Sequence, residues 1–136
     1  MNYVNPPVQT LNGFYHKTFH SDIYGCEIGY NIYLPPDYET SGESYPVFYH
    51  IHGWTGNEST EIVPMEPICR SRNAITVFVN HAHVTGNVWE LPNAPTDIDE
   101  LIPHIDSTSR RFITGIISRL SLVSFGTSCK SSLFSA

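Results

Sequence analysis

Hydrophobic and polar positions along this chain change their period several times. Residues 14–33, FYHKTFHSDIYGCEIGYNIY, hold two β-rich runs on either side of Ser21–Gly25, a polar stretch ending in glycine. Two such runs around turn residues predict a hairpin. Leu34-Pro-Pro-Asp-Tyr38 stops the second strand, because proline cannot donate to a ladder. A polar loop from Glu39 to Ser44 leads into Tyr45-Pro-Val-Phe-Tyr-His-Ile-His52, closed by Gly53. That near-continuous apolar and aromatic run predicts a strand buried on both faces. Ser59 to Arg72 predicts a helix made irregular by Pro64 and Pro67, with Glu61 early and Arg70 and Arg72 late, as the macrodipole favours. Ala74 to Asn80, AITVFVN, reads as a second buried strand.

Residues 84–95 read as a loop with Trp89, Pro92 and Pro95. Thr96 then offers an N-cap with Asp99 three residues on, a capping-box pattern. Ile98, Leu101, Ile102 and Ile105 fall on one helical stripe, which Pro103 should kink. Leu120 to Phe125 reads either as a third buried strand or as the end of a helix using Phe112, Ile113, Ile116, Ile117 and Leu120. The order hairpin, strand, helix, strand, helix, strand predicts an α/β sheet with an N-terminal antiparallel hairpin and parallel central strands.

Length and composition narrow the class. The 136 residues suit a single domain, and 40% hydrophobic with 12% aromatic residues implies a packed core rather than disorder. A net charge of −6 is no nucleic-acid footprint. No run approaches the 18 apolar residues of a membrane span. The first ten residues lack a cationic start followed by an apolar block, so a cytoplasmic location is the default expectation. Cys26, Cys69 and Cys129 are odd in number and share no short spacing, which favours free thiols. The charge is uneven. All 13 acids lie at or before Asp106, whereas 107–136 carries four cations, no acid and nine serines. This stretch is an atypical, serine-rich basic tail on a single, partial domain spanning 1–136.

The chemistry concentrates at Tyr49-His-Ile-His-Gly-Trp-Thr-Gly-Asn-Glu58. A buried strand delivers its end into a glycine-punctuated loop and then a helix. In open α/β sheets, ligands bind at such carboxyl ends of strands. An amide following Gly53 is suited to holding an oxyanion, with His52, Gly53 and Gly56 shaping the loop. A plain strand-to-helix turn is the alternative.

HIHGWTGNE, preceded by NIYLPPDYETSGESYPVFY, resembles the putative-esterase family of α/β-hydrolases, which includes feruloyl, acetyl xylan and esterase D enzymes. Family members commonly read Y-x-P-x-x-Y, then Y-P-V-x-Y-x-x-H-G-x-x-G-x-E. The segment from Asp97 to Thr108 is similar to their ELIPYIDST stretch. The resemblance covers about residues 14–110 and implies hydrolysis of a carboxylic ester through an acyl-enzyme, with no cofactor. It implies a small-molecule or carbohydrate-linked ester as substrate.

The family's nucleophile sits in a G-x-S-x-G elbow. Here Leu122-Val-Ser-Phe-Gly126 keeps the second glycine and replaces the first by Leu122. The resemblance thus implies Ser124 as nucleophile and the backbone N–H groups of Trp54 and Phe125 as oxyanion donors. The family's acid and histidine follow the serine, yet no Asp, Glu or His follows Ser124 here. A truncated form with weak or no activity is the expectation. His81 and His83, after the AITVFVN strand, are the histidines placed to substitute, whereas His104 should point away from the active edge. Two other readings stand beside this one. His50-x-His52 and His81-x-His83, with Asp97 or Asp99, have the donor types of a metal-dependent hydrolase. A non-catalytic half-fold with open edge strands would self-associate as a homo-oligomer.

Overall fold

The computed structural model describes residues 3–53, 55–80 and 99–108, together with the backbone of 97–98 and 121–124. The elements run β1 (Phe14–Ser21), β2 (Cys26–Tyr33), β3 (Val47–Ile51), α1 (Ile62–Ser71), β4 (Ile75–Val79), α2 (Asp97–Thr108) and β5 (Ser121–Ser124). The strands form one sheet in the order β1-β2-β4-β3-β5. β1 and β2 pair antiparallel from Phe14↔Tyr33 to Ser21↔Cys26, and β2 pairs antiparallel with β4. β3 lies between β4 and β5 and is parallel to both. The α/β sheet has the antiparallel hairpin and parallel centre expected of it.

The hairpin turns where its sequence demands. Gly25 takes φ +65°, a conformation that L side chains rarely adopt, and its N–H donates to Ser21 O at 2.8 Å. From α2, Glu100 caps this turn. Its carboxylate accepts from Asp22 N–H at 2.8 Å, Ile23 N–H at 3.1 Å and the Ser21 hydroxyl.

Period-two alternation divides β2, β3 and β4 between two faces. Ile28, Tyr30, Ile32, Val47, Tyr49, Ile75, Val77 and Val79 form one core with Leu101 and Ile105 of α2. Tyr33 and Phe78 form the other with Ile62, Met65 and Cys69 of α1. Helices therefore cover opposite faces, as parallel strands buried on both sides require. The α1 face also carries buried polar residues, namely Asn31, His50 and Thr76.

α1 is shorter than the 59–72 expected. Residues 59–61 form a turn, and the helix opens at Ile62. Pro64 falls in the first turn, whose N–H groups have no acceptor within the helix. Pro67 is inside and deletes the bond to the carbonyl of exposed Val63. Glu61 stands at the N-cap but makes no side-chain cap, because its carboxylate turns to His50. α2 runs through Pro103 from Asp97 to Thr108. Of its stripe, Leu101 and Ile105 are buried and Ile102 half-buried, while the side chain of Ile98 lies outside the described residues. Leu120–Phe125, which sequence left between strand and helix, contains the strand β5.

The loop at 84–95, Thr96, the run from Phe112 to Leu120 and most of the serine-rich tail lie outside the described residues. Among those described, no helix is long and apolar enough to cross a membrane.

Replacing Glu100 with Ala removes the acceptor of three donors at once. Equilibrium urea unfolding should show a loss of about 1–3 kcal/mol, the usual contribution of hydrogen bonds to a charged acceptor.

Candidate active site

β3, β4 and β5 all end at one edge of the sheet. The parallel register pairs Ile51 with Val79 on one side and with Ser124 on the other. Ser124 is thus the last residue of β5, level with the point where β3 passes into His52-Gly53. Neighbouring strands lie roughly 4.8 Å apart, so the two chain ends are adjacent. Trp54 and Phe125, the expected oxyanion donors, lie outside the described residues, as does Gly126.

The loop after β3 folds back on itself. Gly56 N–H donates to Gly53 O at 3.0 Å, and Nδ1 of His52 bonds the same carbonyl at 2.7 Å. The carbonyl can only accept, so that nitrogen carries the proton. Gly56 packs against the imidazole, and a Cβ there would lie 2.9 Å from His52 Cβ. His52, Gly53 and Gly56 are one unit, and Gly56 is required for close approach rather than for an unusual φ.

Beyond the loop, the chain turns inward at Glu58. Its side chain has 0% exposure, and its carboxylate accepts from the backbone N–H and, at 3.0 Å, from Nδ2 of Asn5, with His16 Nε2 3.1 Å away. Its main-chain carbonyl accepts from Asn31 Nδ2 at 2.7 Å. On β3, two strands from the Asn31 that binds Glu58, His50 is 3% exposed, its ring 5.1 Å from that of Phe78, with Nε2 on the Glu61 carboxylate. Burial pushes the His50 pKa below the ordinary 6.5, against the upward pull of Glu61. Neither Glu58 nor Glu61 has these partners nearby along the chain. Glu58 closes the H-G-x-x-G-x-E pattern, but its partners sit 53 and 42 residues earlier, and no local spacing reveals them.

His104 packs on the hairpin side of the sheet, 3.2 Å from the Tyr30 hydroxyl and stacked near Phe19, with β4 and β3 between it and β5. Burial lowers its pKa too, helped by Lys17. His81 and His83 lie outside the described residues. Among the described residues, no three His, Cys, Asp or Glu side chains converge as metal ligands, and His50 is engaged by Glu61. Cys26 and Cys69 are free thiols, Cys69 buried.

A mixed sheet with a parallel centre, covered on both faces, with a glycine loop leaving β3 beside the end of β5, is the arrangement of an α/β-hydrolase. Residues 21–113 match the family described as "Putative esterase", and the chain belongs to that family. Three solved structures share the fold. The S-formylglutathione hydrolase FrmB of Staphylococcus aureus aligns with TM-score 0.60 at 13% identity, over 83% of this chain and 46% of its own. The ferulic acid esterase AmCE1/Fae1A of Anaeromyces mucronatus aligns at 0.57 and 19%, over 86% and 52%. An S-formylglutathione hydrolase of Agrobacterium tumefaciens aligns at 0.58 and 14%, over 85% and 50%. The chain spans about half the length of these structures. No curated protein matches it.

Two outcomes follow from this geometry. Below pH 6.5 the unfolded chain takes up protons that folded His50 and His104 resist, so stability present above 6.5 is lost as pH falls. Melting temperature should drop between pH 7 and pH 5, and His50→Asn should flatten that slope. Gly56→Ala drives a methyl into His52 and should cost about 1–3 kcal/mol in urea unfolding.

Proposed function

We propose that the protein is a carboxylic ester hydrolase that works through an acyl-enzyme at the edge shared by β3 and β5. The observation that carries the reading is the β3–β5 register, in which Ser124 pairs with Ile51 directly before His52-Gly53. A nucleophile and a glycine-shaped oxyanion loop must lie side by side for acyl transfer, because the charge develops one bond away from the attacked carbon. Ser124 attacks the ester carbonyl, and the backbone N–H groups of Trp54 and Phe125 receive the oxyanion. Collapse of the tetrahedral intermediate expels the alcohol and leaves the acyl group on Ser124, and water then releases the acid.

The substrate is a small-molecule or carbohydrate-linked ester. Family membership and the names of the two kinds of structural relative, ferulic acid esterase and S-formylglutathione hydrolase, support this class. Leu122 stands where the family's elbow has its first glycine, a residue that leaves room where strand meets helix. Within these 136 residues no Asp, Glu or His follows Ser124, and a serine hydroxyl is a weak nucleophile without an adjacent base. General-base assistance is worth about 100- to 10,000-fold, so a Ser124 without such a base turns over slowly by that factor.

Hydrolysis of an activated aryl ester by the 136-residue chain tests the assignment. Weak turnover should vanish in Ser124→Ala and fall about 100- to 1,000-fold in Gly53→Val, the usual cost of a lost oxyanion donor. Turnover that survives Ser124→Ala overturns the nucleophile. A fluorophosphonate probe should label Ser124 slowly, and rapid stoichiometric labelling would show that a base reaches Ser124.

A further inference from the structure

We propose that Glu58, held by Asn5 and His16, is a positioning residue for the turn Gly53–Gly56, and that the N-terminal strap Tyr3–Asn5 is thereby a working part of the active edge. The consequence for catalysis rests on the esterase reading, whereas the restraint itself does not.

The turn has two ends. Its first is fixed by the sheet, because His52 follows β3 and binds Gly53 O through Nδ1 at 2.7 Å. Its second is fixed two residues after Gly56, where Glu58 goes into the interior. A carboxylate without exposed surface is costly unless donors meet it. The donors here are the N–H and Nδ2 of Asn5 together with His16 Nε2. Asn31 Nδ2 holds the carbonyl of the same residue, and the hydroxyl of Ser59 donates to Asn5 O. Removing these donors would leave the carboxylate unmatched. Glu58 would then leave the interior and take the second end of the turn with it.

The strap is itself anchored at the edge. Tyr3 O accepts from Gly29 N–H at 2.8 Å and from Asn80 Nδ2 at 3.0 Å. β4 stops at Val79, opposite Tyr30, so the N–H of Gly29 lies past the end of its neighbouring strand. The strap takes up that bond. It joins β2, the end of β4 and the chain after β3. Gly29 also makes room for the acid, since a Cβ there would fall 2.2 Å from Glu58 Oε1 and 3.0 Å from His16 Nε2. Asn5 and His16 both lie before residue 21, outside the span that matches the family. The restraint on the shared loop thus comes from a part of the chain that the match does not cover.

Amide hydrogen exchange on the ¹⁵N-labelled chain reads this directly, with the Gly56 N–H bonded to Gly53 O as reporter and the β3–β4 ladder as reference. In Asn5→Ala, Gly56 should exchange roughly tenfold faster, the effect of one lost hydrogen bond, while ladder amides keep their rates. Glu58→Ala should have the larger effect, and Glu58→Gln a smaller one, because its amide oxygen still accepts from Asn5. Should Glu58→Ala not fold, Asn5→Ala decides alone, since it leaves both cores intact. An unprotected Gly56 in the parent chain overturns the proposal. So does an unchanged rate in Asn5→Ala, or a rise shared equally by the ladder, which would mark general destabilisation. Aryl-ester turnover measured in parallel separates the two readings. Where the parent shows Ser124-dependent turnover, Asn5→Ala should lower kcat with little change in KM. Absence of such turnover in the parent fails the function reading, and exchange still decides this one.

Discussion

A carboxylate buried beside the sheet has to be matched where it lies, and in this protein that constraint falls on Glu58. Its side chain is fully covered, and three donors from Asn5 and His16 surround it. Everything near it accommodates the need. β2 carries glycine at position 29 because any Cβ would meet the acid, and Asn31 is placed to bind its carbonyl. The N-terminal residues are drawn onto the sheet edge to supply amide donors. The loop that leaves β3 is bounded by this anchor and cannot be understood without it.

The same logic explains why the two faces of the sheet differ. The α2 face is apolar, and α2 docks on it with Leu101 and Ile105. The α1 face receives the acids Glu58 and Glu61 ahead of the helix, and buried Asn31 and His50 meet them. One face holds α2 by area removed from water. The other adds directional bonds that set where α1 begins. The N-terminus of α1 is consequently uncapped by Glu61, whose carboxylate binds His50 instead. A hydrogen bond to a buried imidazole takes precedence there over a surface cap.

The catalytic reading depends on the same edge. Ser124 and the His52–Gly53 loop are 72 positions apart in numbering and become neighbours only through parallel pairing of β3 with β5. α1 and α2 cover the two faces of the sheet in which that pairing lies. Glycine at 56 then lets the loop fold against His52.

Much of this was legible in the amino-acid order. Two β-rich runs marked β1 and β2, near-continuous apolar runs marked β3 and β4, Gly25 marked the hairpin turn, and the 3.6-residue stripe through Leu101 and Ile105 marked α2. These signals are local, since each depends on residues within one element length. The family's H-G-x-x-G-x-E pattern likewise marked the loop that leaves β3. Sequence could not decide whether Leu120–Phe125 was strand or helix, because a short apolar run suits both until a partner strand offers its ladder. Nor could it show why Glu58 is acidic or what His16 and Asn5 do. Burial of a charge is settled by the groups that close around it, and here those groups arrive from distant segments once the sheet has formed.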